Sequence, residues 1–227
     1  MTEQFQRTIS LIGQKAQEKL FNSKVIIFGI GGVGSYCAEA LIRMGVGQLA
    51  FVDNDTINET NLNRQIIALH STLGQYKVDV MKQRALDINP SAIIETYKTF
   101  YLPENASEFD FSKYDYVIDA IDTVKAKLSL IEEANKTATP IISSMGTGNK
   151  LDPSQLKVEN IHKTSVCPLA RVMRTELKKR KINKLKVVYS KEVPVKNFDR
   201  VPSSNSFVPA SAGLLIASEV IKDLINN

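Results

Sequence analysis

The sequence predicts an α/β fold in which a mostly parallel sheet carries helices on both faces. Three observations predict it. Short apolar runs alternate with longer amphipathic stretches along the chain, the pattern of strands joined by helical crossovers. Gly29, Gly31 and Gly34 form a Gly-x-Gly-x-x-Gly turn, with Gly32 inside it, directly after one apolar run. Asp53 ends the next apolar run, 19 residues beyond Gly34. This is the layout of a strand–helix–strand nucleotide site, where backbone amides meet phosphate and a carboxylate meets ribose. The fold is therefore Rossmann-like, with a C-terminal extension beyond the core pattern.

The elements follow in order. Residues 3–20 read as an amphipathic helix, with Phe5, Ile9, Ile12, Ala16 and Leu20 near one stripe. Lys24–Phe28 is a strand buried on both faces. A helix from Gly32 to about Met44 is ended by Gly45 and Gly47. Gln48–Val52 is the second strand, and Lys77–Asn89 a helix stopped by Pro90. Ile93–Thr96 and Tyr114–Ala120 are strands, Thr123–Thr137 a helix, and Pro140–Ser144 a strand opening into MGTGNKLDP. Beyond residue 153 the pattern loosens. Lys157–Ile161 and Leu185–Tyr189 read as strands, Cys167–Lys181 as a basic helix, Glu192–Asn205 as a loop and 210–225 as an apolar helix. The expected organisation is one adenylate-type nucleotide-binding domain over 1–227, with 154–205 a less regular segment on the substrate side.

Composition narrows the class. Hydrophobic residues make up 43% of 227, enough for a real core. No apolar run approaches the ~20 residues that span a bilayer. The N-terminus MTEQFQRTISLIG has no signal-peptide core, so a cytoplasmic location without membrane attachment is expected. Cys37 and Cys167 are the two cysteines and cannot make a tetrahedral zinc site. The net charge of +5 permits an anionic partner.

The segment Asn58–Gln65 changes a dinucleotide reading. It adds Arg64 and several amides that a dehydrogenase does not need, and these suit a polyphosphate that is to be cleaved. Lys77 opens a helix, where a cation opposes the helix dipole and a purely structural role is less natural. Its bland reading is a solvated lysine, and that of Arg64 a surface ion pair. Asp53 is the ribose candidate, and Asp55 a turn or cap residue. Asp119 caps or orients the turn after its strand. Asp122 is open to a helix N-cap reading as well as a ligand one.

These residues carry a likeness. The chain resembles the adenylating enzymes related to ubiquitin-activating enzyme, through GIGGVG, DNDTINETNLNRQ, GQYK at 74–77 and VIDAIDT at 117–123. Within them it is most similar to the tRNA threonylcarbamoyladenosine dehydratases. NRQIIAL at 63–69, VIDAIDTVKAK at 117–127, GTGNKLDP at 146–153, CPLA at 167–170 and VVYSKE at 187–192 carry that branch. The resemblance implies ATP-dependent adenylation of the threonyl carboxylate of threonylcarbamoyladenosine in tRNA, then cyclisation with loss of AMP. It implies ATP and Mg2+, with Asn61, Arg64 and Lys77 on the nucleotide and Asp122 as the magnesium carboxylate. It also implies a homodimer, with Arg7 donated to the neighbouring subunit's ATP, and a sulfur-relay protein as a candidate partner. A solvated Arg7 is the alternative.

Two competing functions keep part of the pattern. An adenylyltransferase for the C-terminal glycine of a ubiquitin-like sulfur carrier would use the same charged set, but many such relatives carry paired Cys-x-x-Cys motifs that this chain lacks. A nicotinamide-dependent oxidoreductase would leave Arg64, Lys77 and Asp122 unemployed. Cys167, before Pro168, is either a reactive helix-terminal thiol or a small core hydrophobe. The run Lys178–Lys181, with Lys184 and Lys186, is either a solvated helix end or a tRNA phosphate patch. His70 and His162 are isolated and read as structural.

Overall fold

Seven strands form one sheet in the computed structural model, which describes residues 3–196 and 202–226. The strands are β1 (Lys24–Phe28), β2 (Gln48–Val52), β3 (Ile93–Tyr97), β4 (Tyr116–Asp119), β5 (Ile141–Ser144), β6 (Leu156–Asn160) and β7 (Lys186–Ser190). Their order is β3-β2-β1-β4-β5-β7-β6. All neighbours pair in parallel except β6, which lies antiparallel on β7 at the edge. The chain goes one way from β1 to β2 and β3, then returns to β4 on the other side of β1. That reversal opens a crevice at the carboxyl ends of β1 and β4.

The helices are α1 (Gln6–Ile12), α2 (Gln14–Asn22), α3 (Gly34–Arg43), α4 (Lys77–Ile88), α5 (Val124–Lys136), α6 (Pro168–Lys179) and α7 (Val208–Asn226). Central strands are apolar on both faces: Val25, Ile26, Ile27 and Phe28 of β1 are all fully buried. One face packs α3 and α7, through Leu41, Ile42, Ile216 and Val220. The other packs α5 with an aromatic cluster, in which Phe28 meets Tyr101 at 4.9 Å and Phe109 at 5.3 Å edge to face. A third cluster sits under α6, around Ile131, Met173 and Tyr189.

Several expectations shift. The expected helix over 3–20 is broken at Gly13, whose φ of 86° leaves the helical region. The helix after the glycine turn begins at Gly34, not Gly32. The stretch 154–205 is more regular than its pattern suggests, because β6, α6 and β7 complete the sheet. Residues 197–201 of the expected loop lie outside the described residues. No helix of the described residues is long and apolar enough to cross a membrane.

Gly34 binds the turn to its helix by close approach. A Cβ there would stand 1.8 Å from the Gly29 carbonyl oxygen, which is backbone and cannot step aside. Gly34→Ala is expected to cost about 1–3 kcal/mol of stability through overpacking, read by urea denaturation. An unchanged midpoint would mean that the turn relaxes freely.

Candidate functional site

The crevice holds a cavity of about 310 Å³, lined by Gly29, Gly31, Gly32, Asp53, Asn61, Arg64, Lys77 and Asp122. Of the nucleotide residues expected from sequence, Gly34 alone is absent from this lining; its demand is the packing contact described above. At Gly31 an added Cβ would meet nothing closer than Gln65 Nε2 at 3.9 Å, so the missing side chain leaves open space in the cavity. Gly29 has φ of 91° and sits against the Ala120 carbonyl, which a Cβ would approach to 2.7 Å.

Asp53 follows β2 and ties the two halves of the crevice together. Its Oδ2 accepts the Ile30 amide at 2.7 Å and its Oδ1 the Asp55 amide at 2.9 Å. Burial raises the carboxyl's pKa, against the opposing pull of the Lys77 charge and these two amides. The remaining lone pairs can accept ribose hydroxyls.

Lys77 opens α4 and is 5% exposed. Its Nζ pairs with Asp55 Oδ2 at 2.6 Å. An antiparallel bridge between Thr56 and Tyr76 brings the two together, and the Lys77 amide donates to Asp55 O at 3.0 Å. The solvated reading of Lys77 does not survive, and Asp55 keeps its structural reading with the ion pair to Lys77 added.

Arg64 Nη1 donates to Thr60 O at 2.6 Å and to Asn63 Oδ1 at 2.9 Å. Among the described residues no carboxylate lies within 4 Å of it, so the surface ion-pair reading fails. Asn61 is buried and accepts the Asn58 amide at 3.1 Å. Gln65, beside them, was not singled out from sequence. It is 6% exposed, lines the cavity, and its Oε1 has no hydrogen-bond partner among the described residues. Its only sequence signal was membership of the Asn61–Gln65 run. Phe100, Tyr101, Thr147 and Ser204 also line the cavity; Thr147 belongs to the GTGNKLDP motif, and the others come from loops that gave no site signal.

Asp122 is exposed at the cavity, and its Oδ1 accepts only the Thr123 hydroxyl, at 3.4 Å. Thr123 occupies the N-cap of α5, without a side-chain capping bond. The N-cap reading of Asp122 is thus not realised. Asp119 does more than orient a turn. It is fully buried, and both its oxygens lie 3.0 Å from Nζ of the fully buried Lys127.

Three further expectations find their places elsewhere. Arg7 is exposed on α1, away from the cavity. Cys167 is 1% exposed at the start of α6 and Cys37 is fully buried in α3, where burial raises its thiol pKa. Half of the basic run is ion-paired: Lys179 with Glu176, Arg180 with Glu176 and Glu132, and Lys186 with Asp223, each at 2.7 Å, while Lys178, Lys181 and Lys184 are exposed. Lys186 also starts β7, at the amino end of the sheet and opposite the cavity.

The family model that matches is that of the ThiF family, over residues 4–227. The chain belongs to the ThiF family. Among members of known identity, it is 43% identical to the tRNA threonylcarbamoyladenosine dehydratase of Bacillus subtilis, over 100% of this chain and 96% of that protein. It is 39% identical to the Escherichia coli dehydratase over 78% of this chain and 66% of that one. The crystal structure of the E. coli tRNA N6-threonylcarbamoyladenosine dehydratase in complex with ATP superposes with a TM-score of 0.93 at 34% identity, covering 99% of this chain and 94% of that one. A companion structure of the same ThiF-family enzyme holds AMP, with the same TM-score.

Proposed function

We propose that this chain is an ATP-dependent dehydratase acting on threonylcarbamoyladenosine in tRNA. The observation that carries the reading is the cavity itself. It gathers glycine amides, Asp53, Arg64, Lys77 and Asp122 at the sheet's switch point, in a chain 43% identical to such a dehydratase. A threonyl carboxylate oxygen attacks the α-phosphorus of ATP and pyrophosphate leaves. The carbamoyl group then closes on the activated carbonyl, loses its proton, and AMP departs with the former carboxylate oxygen. The nucleoside thus loses the elements of one water.

Each residue has a part in this. The amides of the Gly29–Gly32 turn and the start of α3 face phosphate. Asp53 holds ribose. Arg64 and Lys77 offset charge that builds on the transferred and leaving phosphates, with Asn61 and Gln65 as polar contacts. The lone Gln65 Oε1 and the open space at Gly31 fit a polar ligand in this cavity. Magnesium neutralises phosphate charge when bound. Asp122 suits it as a single loosely held carboxylate, because magnesium draws its other ligands from phosphate and water.

A homodimer is part of the proposal. α1 buries none of its own residues, and its Leu11 is 82% exposed. Arg7 and Leu11 are four apart and share a face of α1, which suits an arginine lent across an interface to the neighbouring nucleotide. A sulfur-relay partner gains no support from the cysteines, both of which are buried.

Mass spectrometry of nucleosides tests the reaction. Incubation with ATP, magnesium and tRNA bearing threonylcarbamoyladenosine is expected to lower the mass of that nucleoside by one water, with AMP released in equal amount. AMP release without that mass change would sink the substrate assignment.

A further inference from the structure

A second cavity, of about 220 Å³, opens beside the nucleotide cavity. Asn149, Lys150, Leu151, Val195 and Asn205 line it, together with Ser204, which also lines the first. Its walls are tied together. The Asn149 amide donates to Ser203 O at 2.8 Å and the Val195 amide to Asn149 O at 2.7 Å. The Asn205 side chain donates to Lys150 O at 2.6 Å. Asn149 holds a left-handed φ of 58°, a conformation asparagine adopts more readily than most residues.

Lys150 is the unusual group. It is 3% exposed. Its Nζ donates to Gly146 O at 2.5 Å. Among the described residues no carboxylate lies within 4 Å of it. Cys167 and, after it, Glu192 act on it electrostatically without a direct contact, and the Glu192 oxygens accept the Leu151 and Asp152 amides at 2.8 and 2.9 Å. A buried ammonium without a counter-charge is costly, and burial lowers its proton affinity accordingly. An anionic ligand beside it would remove that cost.

We infer that this second cavity is the carboxylate subsite, in which Lys150 holds the α-carboxylate of an amino-acid side chain attached to the substrate nucleoside. The inference rests on the dehydratase reading above. Triphosphate occupies the cavity with Arg64 and Lys77, which leaves the Lys150 cavity to the other reactant. Ser204 lines both cavities, which places the second directly beside the first. The ammonium offsets the repulsion between carboxylate and triphosphate and fixes the attacking oxygen. Lys150 is a positioning residue in this scheme.

The test compares two probes on the full-length protein. Threonylcarbamoyladenosine nucleoside and its carboxamide analogue, in which the carboxylate is an amide, are each titrated with ATP analogue present. The wild-type protein is expected to bind the carboxylate about tenfold more tightly than the amide, as for a charge-assisted hydrogen bond. Lys150→Met should erase that preference, leave ATP affinity within about twofold, and raise KM for the modified tRNA more than it lowers kcat. Lys150→Arg should restore part of the preference. A preference that survives in Lys150→Met overturns the inference, and so does a parallel loss of ATP affinity that Lys150→Arg does not repair. Failure of the dehydratase reading is separate: the wild-type protein would then release no AMP with modified tRNA.

Discussion

Replacing Arg64 with alanine should slow single-turnover AMP release about a hundredfold, a loss of ~3 kcal/mol of transition-state stabilisation. ATP affinity should change far less. The reason lies in when the charge is needed. In the proposed mode bound ATP already meets the glycine amides and Lys77, whereas the extra charge on phosphate arises only as pyrophosphate departs. Arg64 is prepared for that moment. Thr60 O and Asn63 Oδ1 hold one guanidinium nitrogen at 2.6 and 2.9 Å, and no carboxylate among the described residues competes for it. Its stem passes over the glycine turn, within 3.4 Å of where a Cβ on Gly32 would sit. Arg64→Lys should recover little, because an ammonium lacks the planar fork. Rapid-quench measurement of AMP and titration with an ATP analogue separate the two effects. A variant that loses ATP affinity and rate in equal measure would make Arg64 an ordinary binding residue.

What the sequence revealed and what it hid have a common physical cause. The place of Gly29, Gly31, Asp53 and Arg64 at the cavity was legible because it is fixed locally, by a turn, a strand end or a short motif. The mostly parallel sheet was legible for the same reason, since strand and helix alternate along the chain, whereas the strand order came only with the fold. Pairings across the fold were not. Nothing in Asp55 announces that it meets Lys77, 22 residues away; a β-bridge between their neighbours does that. Gln65 and Lys150 looked like ordinary polar residues until the fold showed both to be buried, Gln65 Oε1 with no hydrogen-bond partner among the described residues and Lys150 Nζ on a carbonyl and no carboxylate. The basic run stayed open between two readings. Charges clustered in sequence suggested an RNA surface, yet α6 turns Lys179 and Arg180 onto Glu176, one helical turn away. Pattern alone cannot weigh such a run, because the partners that neutralise it are set by helix phase and by packing against α5.

The largest expected stability effect belongs to Lys127. Lys127→Met should destabilise the protein by about 3–5 kcal/mol, which at this size lowers Tm by roughly 6–20 °C. Lys127 and Asp119 are both completely buried. The ammonium lies 3.0 Å from each Asp119 oxygen, 2.8 Å from Ser144 O and 3.2 Å from the Ser143 hydroxyl. It thereby joins α5 to the ends of β4 and β5, beside the turn that presents Asp122. Removing it leaves the Asp119 carboxylate with the Ser143 hydroxyl and the Ile121 amide, and no opposite charge. The cost arises from the stranded anion and not from the worth of the pair, so a second substitution tests the cause. Asp119→Leu combined with Lys127→Met should return to within about 1–2 kcal/mol of the wild type, because an apolar pair of similar volume pays no desolvation. AMP release by that double variant should stay below wild type, since the Ile121 amide loses the acceptor that anchors the Asp122 turn. Chemical denaturation of the two variants decides the matter. A loss under about 1 kcal/mol in Lys127→Met would mean that water or a repacked side chain satisfies Asp119, and no recovery in the double variant would mean that the loss comes from packing and not from a stranded anion.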